Sequence, residues 1–263
     1  MILDQLAAAS KARAEREKEM ISLETMRERA EILTEEEKTF PFEEALKGND
    51  IHFICEVKKA SPSKGVIAEE FPYMEIAREY EDAGASCISV LTEPEYFLGK
   101  NEYLAAIAEE VSIPVIRKDF TVDEYQIYQA KTIGASCVLL ICALLDAGTL
   151  RRYLEICDRL GLSALVEAHD GEEIRMALDA GARMIGVNNR DLRTFEVDIH
   201  NSERLRSLVP ETVLFVAESG IRTAEDIRVL REAKVNGVLI GETFMRSPDK
   251  KGMLRMLRGE TEA

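Results

Sequence analysis

Three stretches of the chain are near copies of one another: DAGASCISV at 82–90, TIGASCVLL at 132–140 and DAGARMIGV at 179–187. In each, Gly-Ala separates a stretch with helical spacing of apolar residues from a short Val/Ile/Leu-rich run. A glycine just past a helix end adopts the left-handed conformation that closes the helix. Gly84, Gly134 and Gly181 are therefore expected to cap helices and to deliver the chain at once into a strand. At the corresponding place REAKVNGVLIG (231–241) has Lys234, a less suitable cap. The strand-like runs are HFICEV, CISVLT, PVIRKDF, CVLLICA, ALVEAH, MIGVNN, LFVAES and GVLIGE. They recur every ~20 to 35 residues, close to the length of one strand-plus-crossover-helix unit. They are apolar throughout rather than alternating, as parallel strands covered on both faces should be. About eight such units predict a (β/α)8 TIM barrel. A doubly wound sheet is the competing α/β architecture, but it usually has fewer strands and a Gly-rich first turn, and no G-x-G-x-x-G follows the first run.

A length of 263 residues suits one such barrel domain. Residues 1–50 fall outside the repeat and read as an N-terminal helical extension, packed on the barrel through Phe40, Phe42 and Leu46. No Gly/Ser/Pro linker separates it, so 1–263 is expected to be a single domain. The formal net charge of -15 argues against nucleic-acid binding, which needs a basic patch. It still allows a small anionic substrate, because a few lysines in one cleft override the global sign. Cys55, Cys87, Cys137, Cys142 and Cys157 form no C-x-x-C pair and lie mostly in apolar runs. That usage points to a reducing, cytoplasmic setting. The N-terminus reads as a charged amphipathic helix rather than a signal peptide. The longest apolar run, CVLLICALL (137–145), is too short to span a membrane. A monomer acting on a small molecule is expected, with no nucleic-acid or membrane partner.

Barrel enzymes carry their active sites at the C-terminal ends of the strands. The first run ends in Glu56 and Lys58, two apart and so on one face. Burying both is costly unless they are paired or needed. The other ends offer Thr92 and Glu93; Lys118, Asp119 and Phe120; Glu167 and His169; Asn188, Asn189 and Arg190; Glu218, Ser219 and Gly220; Gly241, Glu242 and Thr243. AESGI and LIGETF end the last two runs, where barrels often bind phosphate through backbone N–H groups. Gly220 and Gly241 either admit such an anion or simply make tight turns, and Ser61 and Ser63 add hydroxyl donors. Lys58, Lys118 and Arg190 converge with Glu56 and Glu167 on one mouth, as an acid–base set or as a structural ion-pair network. His52, His169 and His200 lack metal-ligand spacing. No metal site is expected, and His169 reads as a supporting or structural residue. Nothing matches a P-loop or a nucleophile elbow.

Seven motifs in order, CEVKKASPSKG, TEPEYFLG, VIRKDFTVDEYQIYQA, LVEAHD, GVNNRDLRTFEVD, ESGI and LIGETFMRSPD, resemble the indole-3-glycerol phosphate synthase family over about residues 50–248. The resemblance implies an enzyme of tryptophan biosynthesis, a carboxy-lyase without metal or organic cofactor. Its substrate would be 1-(2-carboxyphenylamino)-1-deoxyribulose 5-phosphate, closed to an indole with loss of CO2 and water. By motif match, Lys118 resembles the general acid that protonates the ketone oxygen. Glu167 looks like the carboxylate that exchanges protons with substrate hydroxyls. Lys58 would attract the substrate carboxylate and assist departure of the hydroxyl, and Glu56 would act in dehydration and position Lys58. Asn188 and Arg190 resemble the pair that orients the substrate. Ser61, Ser219, Gly220, Gly241 and Glu242 fall at phosphate-side positions, and Phe97 and Phe120 would wall in the aromatic ring. The division of proton transfers among the two lysines and two glutamates stays open. Lys118 must release a proton near neutral pH, so burial or a neighbouring cation such as Lys58 is expected to lower its pKa. Thr243, where Ser is commoner, and Lys234, where Gly is usual, are mild departures. A Schiff-base aldolase using Lys118 or Lys58, and a barrel that only binds a sugar phosphate, are the rival readings.

Overall fold

The computed structural model describes residues 2–190 and 196–260. Eight parallel strands close into a barrel. They are β1 His52–Val57, β2 Cys87–Leu91, β3 Val115–Lys118, β4 Cys137–Ile141, β5 Ser163–Ala168, β6 Met184–Asn188, β7 Leu214–Glu218 and β8 Gly237–Ile240. Each pairs with its sequence neighbours, and β8 pairs with β1. The crossover helices are α4 Tyr73–Ala83, α5 Asn101–Glu110, α6 Glu124–Thr132, α7 Ala147–Leu160, α8 Gly171–Ala180, α9 His200–Arg206 and α10 Ala224–Glu232, followed by α11 Glu242–Arg246 and α12 Lys250–Arg258. Gly84, Gly134 and Gly181 have φ of 93°, 85° and 95°, the left-handed caps that the repeated joint predicts. Lys234 occupies the same conformation at φ 59° without glycine's freedom. Several strands stop a residue or two earlier than the apolar runs, and Cys142–Leu144 turn off as a short 3-10 helix.

Strand parity sorts the core into two shells. Phe53, Cys55 and Val57 of β1 face the helices, whereas Ile54 faces the barrel interior with Cys87, Ile116, Cys137, Leu165, Met184 and Val216. The register fixes how the inward positions stack. Along one row of paired residues, Glu56 of β1 lies beside Ser89 of β2, and Ser89 beside Ile116 of β3. The strands tilt, so the layer across the barrel climbs two residues for every two strands. That step runs from Glu56 to Lys118 of β3, then to Glu167 of β5, Glu218 of β7 and back to Glu56. This closure is the standard stagger of the eight-stranded barrel, whose interior is built from layers of four side chains from alternate strands.

Ahead of β1 run α1 Ile2–Met20, α2 Leu23–Ile32 and α3 Pro41–Glu44. Phe42 and Leu46 have no exposed surface and join the interior cluster, closing the N-terminal end of the barrel. Phe40 packs instead under the guanidinium of Arg183, 4.3 Å from the ring centroid. Arg183 also grips Glu43 at 2.9 Å, which ties α3 to the start of β6. At the opposite end α1 packs beside α6, and its Ser10 hydroxyl donates to the Phe120 carbonyl at 2.6 Å.

Candidate active site

The top odd-strand layer of the barrel is Glu56, Lys118, Glu167 and Glu218, one lysine among three carboxylates. Lys118 Nζ lies 3.3 Å from Glu218 Oε2. The three glutamates are buried, at 4%, 2% and 1% exposure in chain order. Glycines make room for two of them. Gly186 of β6 sits against Glu218, and a Cβ there would overlap its Oε1. A Cβ on Gly241 would stand 2.5 Å from Glu56 Oε1 and 2.8 Å from Lys58 Nζ. Backbone with no side chain is what lets a charged layer occupy positions that hydrocarbon fills lower in the barrel.

Lys58 leaves the end of β1 and folds back to donate to Glu56 Oε1 at 2.6 Å, while the Ser89 hydroxyl donates to Glu56 Oε2 at 3.2 Å. Asn188 donates to Glu167 Oε2 at 3.4 Å and accepts the Arg190 backbone N–H at 3.0 Å. The rings of Phe97 and Phe120 face each other at 6.0 Å, and both line the cavity above the layer. The buried carboxylate of Glu93 shapes the Phe97 loop, accepting the N–H groups of Glu95, Tyr96 and Phe97 at 2.7–3.0 Å. Across the mouth, Ser219 and Gly220 both have positive φ, 69° and 82°, and Gly241 and Glu242 open α11. Glu242 pairs with Lys64 of the first loop at 3.5 Å and with Arg246 at 3.1 Å. Ser61 lies in a short hairpin, paired with Gly65, that carries this loop over the opening. Every residue to which the resemblance gives a catalytic or substrate-binding role lines this one cavity, together with Ile2, Leu3 and Leu6 of α1, whereas Thr92, Glu93, Asn189 and His169 lie outside its lining. The middle of the GVNNRDLRTFEVD run, residues 191–195, lies outside the described residues.

The electrostatics correct one expectation. Burial acts to lower the Lys118 pKa, but Glu218, Glu167 and Glu56 outweigh it and raise it well above its usual value. Lys58 is drawn to Glu56 and does not act as the depressing neighbour. Glu56 is held below the ordinary carboxylate value: burial opposes this, and Lys58, Lys118 and the Ser89 hydroxyl overcome it. Glu218 takes the opposite share. Burial pushes it up to about 7, helped by Glu167 and Glu56 against the pull of Lys118. One layer thus holds an ammonium, a stabilised carboxylate and a carboxyl that titrates near neutrality, the spread of proton affinities that acid–base chemistry uses. Glu218 completes this layer, although motif reading gave it no role. Its sequence signal is a carboxylate at the last inward position of β7, two residues beyond the partner of a glycine inside the β6 run.

The family model described as indole-3-glycerol phosphate synthase matches residues 3–257. The chain belongs to the indole-3-glycerol phosphate synthase family. Among curated relatives, the indole-3-glycerol phosphate synthase of Ruminiclostridium cellulolyticum is 58% identical over 98% of this chain and 99% of its own. That of Endomicrobium trichonymphae is 54% identical over 98% of this chain and 100% of its own. Among solved structures, 3-hexulose-6-phosphate synthase from Salmonella typhimurium superposes with a TM-score of 0.65 at 15% identity, covering 80% of this chain and 100% of that one. At that identity the likeness speaks for the barrel alone. No described helix is long and apolar enough to cross a membrane.

Proposed function

We propose that the chain closes 1-(2-carboxyphenylamino)-1-deoxyribulose 5-phosphate to indole-3-glycerol phosphate with release of CO2 and water, as a carboxy-lyase of tryptophan biosynthesis. The observation that carries this reading is the match to the family over nearly the whole chain. The local geometry supports it. Lys118, kept as an ammonium by its carboxylate ring, protonates the ketone oxygen as the aromatic carbon attacks. Glu167 exchanges protons with the substrate hydroxyls, and Asn188 orients it. Lys58 meets the substrate carboxylate and, with Glu56 beside it, helps the hydroxyl leave as water. Arg190 orients the carboxylated ring, which Phe97 and Phe120 enclose. Ser61, Ser219, Gly220, Gly241 and Glu242 serve the phosphate, the last two through backbone N–H groups. An ammonium held this firmly is a poor amine nucleophile, which disfavours the Schiff-base alternative. The protein works as a monomer in the cytoplasm, one barrel domain with residues 1–50 as its extension. Its five free, buried cysteines suit a reducing compartment.

The chain has no Trp, so an indole product fluoresces over a Tyr background alone. Adding the anilino-deoxyribulose phosphate is expected to raise indole emission with time. Lys118→Ala and Glu167→Ala are each expected to lower kcat by about 100-fold or more with KM within a few-fold, the pattern of lost transition-state interactions. Absence of an indole signal from the unaltered protein overturns the activity. Near-normal kcat in either variant overturns the role given to that residue.

A further inference from the structure

The reaction proposed above consumes a proton. The substrate enters with an ionised carboxylate; CO2 leaves neutral, so the negative charge departs with the hydroxyl. One proton from outside the substrate must convert that hydroxide equivalent to water. The acid–base layer that manages this is almost wholly buried, so each turnover needs a route by which a solvent proton reaches it.

One side chain bridges that gap. His169, just past β5, exposes 22% of its side chain, whereas Glu167 exposes 3%. Its Nε2 lies 3.6 Å from Glu167 Oε1. Both atoms are buried and neither has a hydrogen-bond partner among the described residues, although they face each other. A small approach makes this contact a hydrogen bond. On its other side, Nδ1 lies 3.3 Å from Glu173 Oε2, which also accepts the His169 backbone N–H at 2.8 Å. Glu173 stands in the first turn of α8 with 21% of its side chain exposed. The Asn201 amide of α9 holds the His169 carbonyl at 3.4 Å. The result is a carboxylate–imidazole–carboxylate line from the solvent edge to the catalytic layer.

We propose that His169 delivers solvent protons to Glu167 during turnover, a role that rests on the reaction proposed above. The Nε2–H bond breaks and a Glu167 Oε1–H bond forms, leaving a neutral imidazole that keeps its Nδ1 proton toward Glu173. Glu167 passes the proton toward the departing hydroxyl. The ring then turns about its Cβ–Cγ bond and carries the bare Nε2 to solvent, where it takes a proton from water before turning back as imidazolium. The charged neighbours favour the loaded form. Burial acts to lower the His169 pKa, but Glu173, Glu167 and Glu218 raise it to about 9. The Cys142 thiol after β4 lies near Glu173 and Glu167; burial pushes it up to about 12, so it stays a neutral thiol. The imidazolium is therefore full at neutral pH and is lost as pH rises through about 9.

The test is kcat against pH, by indole emission, for the unaltered protein, His169→Asn and Glu173→Gln. Asn keeps a polar contact with Glu173 but carries no exchangeable charge. His169→Asn is expected to lower kcat about tenfold at neutral pH with KM within about twofold, and to lose the alkaline limb. Imidazole added to the buffer should restore part of the rate, which a purely structural role would not allow. Glu173→Gln removes one of the charges that hold the proton, so its alkaline limb should move to lower pH. Superimposable profiles for His169→Asn and the unaltered protein overturn the relay. So does a loss of rate that imidazole leaves unchanged. Turnover by the unaltered protein in the same assay separates failure of the relay from failure of the activity.

Discussion

Glu218 is 1% exposed, lies 3.3 Å from Lys118, and keeps Oε1 unpartnered among the described residues. Its folded-state pKa of about 7 is raised from 4.5. The folded protein therefore binds more protons than the unfolded chain between these values, and this residue makes stability fall as pH rises through about 7. Gln at 218 resembles the neutral acid and never ionises. Glu218→Gln is expected to raise Tm by about 2–4 °C at pH 8 and to leave it nearly unchanged at pH 5, where the native carboxyl is already protonated. The same change removes one of the charges that keep Lys118 an ammonium, and kcat should fall about 100-fold. Thermal unfolding at the two pH values, with turnover by indole emission, checks both halves; a lower Tm at pH 8 would contradict the assigned proton affinity. Glu56, Lys118 and Glu167 were legible as strand-end charges, and Glu218 completes their layer only once the strand stagger is known. The direction of the Lys118 shift was hidden for the same reason. It depends on three carboxylates from three other strands, and strand ends read singly do not say which of them meet.

At the scale of elements, the Gly-Ala joint carried the fold because a left-handed residue is needed wherever a helix turns directly into a strand. The strand ends were less legible. The runs continue past the last paired residue into the mouth, where Thr92, Asp119 and Asn189 are buried in side-chain hydrogen bonds. The exception at the joints is itself informative. Lys234 adopts φ 59° after α10, and its outward ion pair with Glu211 is 71% and 74% exposed. Such an exposed pair contributes little, whereas a left-handed non-glycine residue costs about 1–2 kcal/mol. The Arg206 Nε–H donates to the Lys234 backbone carbonyl at 2.9 Å, a bond that survives a change to glycine. Lys234→Gly is therefore expected to stabilise by about 1 kcal/mol, a rise in Tm of about 2–4 °C, with kcat and KM unchanged because the joint lies at the end of the barrel away from the site. An unchanged or lower Tm would mean that the unfolded chain's extra freedom cancels the relief of strain.

At the scale of the molecule, the N-terminal extension holds the barrel at both ends. Phe42 and Leu46 close one end, and α1 reaches the other, where Ile2, Leu3 and Leu6 line the active-site cavity. The first contact was legible as an apolar cluster. The second was not, because Arg13 looks like any other charge on a solvated helix. In the fold Arg13 donates to both oxygens of Asp119 at 2.7 and 2.8 Å, next to Lys118 in the chain. Asp119 also receives Thr92 at 2.7 Å and Arg117 at 3.2 Å, and Arg117 is 1% exposed. The two arms of this latch should separate stability from substrate binding. Asp119→Ala strands the buried Arg117 guanidinium and is expected to cost about 3–5 kcal/mol. Arg13→Ala leaves Asp119 paired with Arg117 and Thr92, so the barrel should lose only about 1 kcal/mol. It does free α1 from the loop that carries Phe120, whose carbonyl Ser10 and Gln126 hold at 2.6 and 3.1 Å. The wall over the aromatic ring then loosens, and KM is expected to rise about tenfold with a smaller change in kcat. Unfolding midpoints beside steady-state kinetics decide the matter: if Arg13→Ala lowers Tm as far as Asp119→Ala and leaves KM alone, α1 braces the barrel and is no part of the binding site.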